Sequence, residues 1–155
     1  MKKIISTKRA PAAIGPYNQA IEVNGIIFIS GQIPINPLTG ELVPGGVKEQ
    51  AAQCFKNIRA ILDEAGLTTE NIVKITVFLG DMAYFSEMNE VYASQFDGDF
   101  PARSAIAAKG LPKNCMVEIH CRRIRYSQCW PDGYNNRYSF RLAIAETGRD
   151  GLVAV

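Results

Sequence analysis

The feature that most constrains the fold is a change in how apolar residues are spaced. They recur at helical intervals over residues 47–65 and then form a continuous run over residues 72–79. From Val47 to Ala65, apolar side chains recur at helical spacing and Gly66 follows as a natural C-cap, which predicts an amphipathic helix of about 18 residues. The next apolar run, Ile72–Leu79, is rich in β-branched residues and predicts a strand. A helix with one apolar face needs an apolar surface beneath it. The pattern therefore predicts helices packed on a sheet.

The flanking segments predict a hairpin, a second helix and two more strands. Asn24-Gly25 lies between two β-prone runs, which is the pattern of a type I′ hairpin turn. Apolar residues at helical spacing over 85–96 predict a helix with Asp81 as its N-terminal cap. Strands are predicted near 102–107 and 115–119, and the Gly- and Pro-rich residues 31–46 are predicted to form a loop.

The order of these elements is hairpin, helix, strand, helix, strand, strand. This order is typical of an α+β fold, a mixed β-sheet with two helices packed on one face. The opposite face of the sheet then has no cover within one chain. Because an exposed apolar sheet face usually needs a partner, we expect the chain to self-associate.

Composition and charge narrow the classes of function. Residues 1–119 carry 11 basic and 12 acidic side chains, a net charge of −1, whereas residues 120–155 are net +3. The main body thus has no basic bias, and a nucleic-acid partner is not expected. No apolar run reaches the roughly 18 residues of a membrane helix, and no signal-peptide pattern opens the chain. We therefore expect a cytoplasmic protein without a membrane partner.

The cysteines do not form a metal-binding pattern. The four, Cys54, Cys115, Cys121 and Cys129, include no Cys-x-x-Cys pair, and His120 is the single histidine of the chain. A zinc site requires about four nitrogen or sulfur ligands at characteristic spacings. We therefore expect free thiols in a reducing compartment and no metal site.

Two glycine-containing segments are candidates for ligand contact. Residues 12–17 and 30–34 each combine glycine, proline and a polar side chain and are predicted to be loops at strand ends. Glycine lets a ligand approach the backbone closely. From spacing alone, the interpretation as simple tight turns is favoured over a binding role.

A buried-looking pair of charges is the second candidate. Arg103 and Glu118 each lie among apolar residues on a predicted strand. A charge in such surroundings is costly unless it is paired. One interpretation is a structural salt bridge between strands. The other is a guanidinium fork that binds a substrate carboxylate beside an acid that handles water. The residues alone support both equally.

Together these segments resemble the Rid (RidA/YjgF) family. Pro-Ala-Arg-Ser (101–104) and Val-Glu-Ile (117–119), with fifteen positions from Arg103 to Glu118, are the most specific elements. The matching stretches cover nearly all of residues 1–119 in order: Ala10–Tyr17, Ser30–Asn36, Ile72–Asp81, Phe85–Tyr92, Phe100–Ser104 and Leu111–Ile119.

The resemblance implies a fold, an assembly and an activity. The fold would be chorismate mutase-like, with three copies forming a trimeric barrel and the active sites at the subunit clefts. The activity would be hydrolysis of 2-imino acids, such as 2-iminobutanoate and 2-iminopropanoate, to 2-oxo acids and ammonia. No cofactor is expected.

The resemblance also implies roles for individual residues. Arg103 would bind the substrate carboxylate and Glu118 would orient or activate the attacking water. The cleft would be lined by Tyr17, Ser30, Gly31, Phe85, Asn89 and position 105. The family often has cysteine at that position. Here it is Ala105, so any role that needs the sulfur is absent from this protein.

The chain departs from the family after residue 119. All eight lysines lie at or before Lys113, while six of nine arginines follow residue 121. Codons for His-Cys-Arg (120–122), read one base later, can encode Ile-Ala-Val, which the family has near this point. We interpret residues 120–155 as an atypical, frameshifted extension, with the last strand running into its start; DNA sequencing tests this. The alternative is a natural appended segment. His120 is expected to be a bystander near Glu118.

Two other functions fit the same resemblance. Some members are described as RNA-cleaving translation inhibitors, which would require a basic groove with stacking aromatic residues. The net charge of residues 1–119 disfavours this function. A protein that only binds small carboxylates would keep Arg103 but tolerate Glu118→Gln.

Overall fold

Six strands form one mixed sheet in the computed structural model, which describes residues 1–124. In chain order they are β1 (Lys3–Ile5), β2 (Ala20–Val23), β3 (Ile26–Gln32), β4 (Ile72–Leu79), β5 (Ala102–Ala107) and β6 (Val117–Ile124). Across the sheet the order is β1-β2-β3-β6-β4-β5, and of these neighbours only β4 and β5 run parallel. Helices α1 (Val47–Glu64) and α2 (Phe85–Ala93) lie on one face, and short 3-10 turns span Thr69–Asn71, Met82–Tyr84 and Pro112–Asn114. The predicted α+β architecture is confirmed.

Short-range sequence patterns correctly predict the hairpin turn and the long helix. Asn24 and Gly25 have φ of 49° and 75°, the left-handed values that a type I′ turn requires between β2 and β3. Helix α1 has the predicted 18 residues, and Gly66 follows it with φ of 68°. Asp81 acts as a cap, because its Oδ1 accepts a hydrogen bond from the Ala83 amide at 2.8 Å. It caps the 3-10 turn that leads into α2 rather than α2 itself.

The core lies between the helices and one face of the sheet. Alternation along β4 separates the two faces: Ile75, Val77 and Leu79 are fully buried under the helices, whereas Thr76 and Phe78 point to the uncovered face. The same helix-covered layer contains further fully buried side chains from α1 and the neighbouring strands: Phe55, Ile58, Ile61, Ile27, Val117 and Ile119. The uncovered face carries exposed apolar residues, including Phe28, Ile106 and Ile124. Neither helix combines the length and apolar composition that a bilayer crossing requires.

Three features differ from the sequence-based expectations. Strand β1 is absent from the sequence-based prediction, and β6 begins at Val117, two residues after the predicted start near 115. Ser30 and Gly31 belong to the end of β3 rather than to a loop, at a point where the register with β6 shifts between Ile29 and Gln32. A bulge of this kind places extra backbone in a strand and changes its course. The predicted extension beyond residue 124 lies outside the described residues.

Candidate active site

Helix α2 and strand β5 hold the Arg103 guanidinium between a polar and an aromatic contact. Its Nη1 donates a hydrogen bond to Asn89 Oδ1 at 2.6 Å. Its Cζ lies 4.4 Å from the centroid of the Tyr92 ring and 5.5 Å from that of Phe85. Asn89 lies four residues after Phe85 and three before Tyr92, so all three face one side of the helix. We call these four residues the Arg103 half-site.

The positive charge of this half-site is not neutralised within the described chain. The hydrogen-bond partner of Arg103 is a neutral amide, and its ring contacts are cation–π interactions. Burial raises the pKa of Tyr92, with the Arg103 charge opposing that rise, so its ring stays neutral at physiological pH. A partly buried guanidinium with free N–H donors is suited to a planar carboxylate.

Strands β3 and β6 build a second group around Glu118. His120 Nε2 and Glu118 Oε1 are 2.7 Å apart, and the Glu118 side chain is 16% exposed. Tyr17, Ser30 and Gly31 line the same cavity of about 390 Å³. Ser30 is held in place because its hydroxyl donates to the carbonyl of Asn18 at 2.7 Å. We call Tyr17, Ser30, Gly31, Glu118 and His120 the Glu118 half-site.

Gly31 leaves room for this carboxylate beside β3. A Cβ atom built on Gly31 would lie 1.9 Å from Glu118 Oε1 and 2.5 Å from His120 Nε2. Non-bonded heavy atoms do not come this close, so a side chain at position 31 would force Glu118 and His120 to move. The Glu118 and His120 side chains therefore occupy the space that a side chain at position 31 would need.

The register across β4 separates the two half-sites. Arg103 pairs with Ile75, whose side chain is buried under the helices, so Arg103 faces the helix-covered side. Glu118 pairs with Phe78, which points to the uncovered side. Within one chain, the two charged groups thus lie on opposite faces of the sheet.

This placement excludes the structural salt bridge considered from the sequence. Strand β4 separates the strands of Arg103 and Glu118. Within residues 1–124 the ion-pair partner of Glu118 is His120, and no ion pair includes Arg103. The predicted site residues divide evenly. Phe85, Asn89 and Ala105 accompany Arg103, with Ala105 two residues further along the same face of β5. The others accompany Glu118: Tyr17, Ser30 and Gly31.

The three cysteines among residues 1–124 do not replace the thiol that is absent at position 105. Burial raises the pKa of Cys121 to about 12 and that of Cys115 to about 11, and it raises the pKa of Cys54 as well. All three are therefore protonated at neutral pH, and a protonated thiol is a poor nucleophile. Among residues 1–124, the two half-sites thus offer charged and hydrogen-bonding groups rather than a reactive thiol.

Two members of the half-sites were not predicted as site residues. The apolar spacing over 85–96 predicts Tyr92 only as part of a helix, and its helical spacing from Phe85 and Asn89 is the signal that could have identified it. His120 was expected to be a bystander, yet it is hydrogen-bonded to Glu118. Its position two residues from Glu118 on a strand was the signal, because such residues share a face.

Comparisons with known proteins agree on one family. The family model described as Endoribonuclease L-PSP matches residues 7–123. The 2-iminobutanoate/2-iminopropanoate deaminase of Mus musculus is 50% identical over 119 residues, which is 77% of this chain and 88% of that protein. A RutC family protein from Aquifex aeolicus is 55% identical over 117 residues, covering 74% of this chain and 93% of its own.

Solved structures share the fold as well. A Rid family protein from Yersinia pestis superposes with a TM-score of 0.78 at 49% identity, covering 80% of this chain and 99% of its own. TdcF of E. coli, solved with bound serine, gives a TM-score of 0.76 at 44% identity, covering 79% and 98%. With a family model spanning most of the chain and relatives near half identity, the protein belongs to the Rid (RidA/YjgF) family.

Proposed function

We propose that the protein hydrolyses 2-imino acids and their enamine tautomers to 2-oxo acids and ammonia. One observation carries the proposal. The Arg103 guanidinium, which has no ion-pair partner within residues 1–124, and the largely buried Glu118 carboxylate lie in two separate half-sites, and each half-site lacks the charged group that the other supplies. The first suits the carboxylate of the substrate and the second suits a water molecule. The names of the mammalian relatives, 2-iminobutanoate/2-iminopropanoate deaminases, support this reaction.

The site is proposed to form between two copies of the chain. Arg103 is on β5, the edge strand of the sheet, whereas Glu118 faces the uncovered side. If the β5 edge of one copy packs on the uncovered face of the next, the two half-sites meet. This contact joins two different surfaces, so it cannot close as a two-fold dimer, and it forms a ring when the rotation between copies closes. A homotrimer with three shared sites fits this geometry and covers the exposed apolar residues Phe28 and Ile106.

The reaction then needs little beyond positioning. Arg103 holds the substrate carboxylate through paired hydrogen bonds and fixes the imine carbon near the neighbouring Glu118. Water adds to that carbon while Glu118 accepts one of its protons, which forms a carbinolamine. Glu118 returns this proton to nitrogen, and as the C–N bond breaks it accepts the hydroxyl proton, so that ammonia leaves and the carbonyl forms. A protonated imine is a strong electrophile, so a single carboxylate suffices as the base.

A direct assay tests the proposal. An amino-acid oxidase generates a 2-imino acid in the cuvette, semicarbazide traps the imine that survives, and the release of 2-oxo acid and ammonia is followed. We expect the protein to accelerate release well beyond the spontaneous rate and to reduce the trapped fraction in proportion to its concentration. An unchanged rate at high protein concentration would contradict the proposed function.

Binding of a small carboxylate without catalysis is the second candidate. The E. coli relative was solved with serine, a small amino acid, which favours a carboxylate-binding site in this family. Such a protein would bind 2-oxo or amino acids through Arg103 and would not accelerate imine hydrolysis. Calorimetry with 2-oxobutanoate, run beside the assay, separates the two candidates.

RNA cleavage is the third candidate, because the matching family model is described as an endoribonuclease. Lys2, Lys74 and Arg122 line a cavity beside the Glu118 half-site. Residues 1–119 are nevertheless net −1, which disfavours a groove for an RNA backbone. Cleavage of a labelled RNA that persists at high salt and disappears with Glu118→Gln would favour this candidate over the deaminase.

A further inference from the structure

His120 makes the one side-chain hydrogen bond that Glu118 forms with the described residues. Its Nε2 lies 2.7 Å from Glu118 Oε1. An ionised carboxylate can only accept hydrogen bonds, so the imidazole Nε2–H is the donor. One carboxylate oxygen is thereby engaged, and the other remains for a ligand or a water molecule in the cavity.

The imidazole is itself held on two sides. The Phe78 ring packs against it with centroids 4.9 Å apart and an interplanar angle of 60°. On the other side, a Cβ on Gly31 would approach Nε2 to 2.5 Å. The strands that carry Phe78 and Gly31 flank β6 on both sides. The His120 side chain, which is 42% exposed, therefore packs against Phe78 on one neighbouring strand and lies close to Gly31 on the other, and its hydrogen bond ties Glu118 to that position.

We propose that His120 is a positioning residue, which orients the Glu118 carboxylate so that its free oxygen accepts the proton of the attacking water. This inference rests on the proposed function and adds a residue that acts through Glu118 without touching the substrate. A freely rotating glutamate would spend part of its time with both oxygens turned away from water, which lowers the rate but not the affinity. The hydrogen bond from Nε2 removes that freedom.

The experiment compares His120→Ala with His120→Gln. The alanine variant loses the donor, and we expect kcat for imine hydrolysis to fall about 10- to 100-fold, the effect of a hydrogen bond to a charged group, with KM within about twofold of wild type. The glutamine variant keeps an N–H donor near the position of Nε2, so it should recover most of the lost kcat. In a Glu118→Gln background, His120→Ala should have almost no further effect.

Each result decides the question. Wild-type kcat in His120→Ala overturns the proposal. Equal losses in the alanine and glutamine variants also overturn it, because a donor would then not be what matters. An additive loss in the Glu118→Gln background shows that His120 does not act through Glu118.

A measurement without turnover separates this inference from the proposed function. His120 is the single histidine of the chain, so its imidazole gives one set of NMR signals. Its nitrogen resonances should change in Glu118→Ala and stay unchanged in Arg9→Ala, because Arg9 forms its ion pairs with Asp63 and Glu64 and belongs to neither half-site. If the wild type hydrolyses no imine yet this pattern holds, the proposed function fails and the Glu118–His120 contact stands. Unchanged signals in Glu118→Ala would remove the contact on which the inference depends.

Discussion

Arg103→Ala is expected to lower kcat/KM for imine hydrolysis by about 10³-fold, because it removes two charge-assisted hydrogen bonds to the substrate carboxylate. The guanidinium is not part of an ion pair within residues 1–124, so its loss leaves no buried acid unpaired. The fold and the oligomer should therefore persist, as circular dichroism and size-exclusion chromatography would show. Steady-state assays over a range of imine concentrations measure the effect.

Two further variants make this prediction specific. Arg103→Lys keeps the charge and loses the planar fork, so its activity should lie between those of the alanine variant and the wild type. Arg9→Ala is the matched control, since Arg9 forms exposed ion pairs with Asp63 and Glu64. Such pairs contribute little, and wild-type turnover is expected. Near-wild-type activity in Arg103→Ala would count against the role assigned to this residue.

The second large effect is expected at the carboxylate. Glu118→Gln keeps the shape of the side chain but cannot accept a proton from water, so kcat should fall by about 10²- to 10⁴-fold. Gly31→Ala should reduce kcat by about 10²-fold with Glu118 still present, because a Cβ 1.9 Å from Oε1 forces the carboxylate to move. Both losses would appear in kcat from steady-state kinetics.

The chain offers a matched control for the glycine variant. A Cβ on Gly110 would meet no atom within 4 Å, and Gly110 does not have a positive φ. Gly110→Ala should therefore behave as wild type. If Gly31→Ala were equally active, the carboxylate position seen here would not matter for the reaction. If Glu118→Gln stayed active, the protein would act without this residue as a base.

Features set by local pattern could be predicted from the sequence. Helix α1 and the Asn24-Gly25 turn follow from residues close in the chain, since helical period and left-handed backbone are local properties. Strand β1 has three residues, too few for a pattern, and it forms through pairing with β2. Strand β6 continues to Ile124 because its last residues pair with both neighbouring strands. Ile124 pairs with Ile26, and Arg123 lies between Ile27 and Ile72.

The sequence identifies which residues belong to the site but does not predict where they lie relative to one another. Arg103 and Glu118 were recognisable as charges among apolar neighbours. Their placement on opposite faces follows from the insertion of β4 between β5 and β6 and from the register of both pairs. Neither strand order nor register can be read from the spacing of two residues in the chain, because both depend on long-range pairing.

Mixing two inactive variants tests the shared site most directly. Arg103→Ala retains Glu118, and Glu118→Gln retains Arg103, so a copy of one beside a copy of the other can supply a complete site. If subunits assort at random in a cyclic assembly, about one quarter of the sites should be intact in a 1:1 mixture. Unfolding and refolding the two proteins together should then restore about a quarter of wild-type activity, whereas each protein refolded alone should keep only the residual activity expected above, about 1% or less. A mixture as inactive as its components, in oligomers shown to have exchanged subunits, would contradict a site built from two copies.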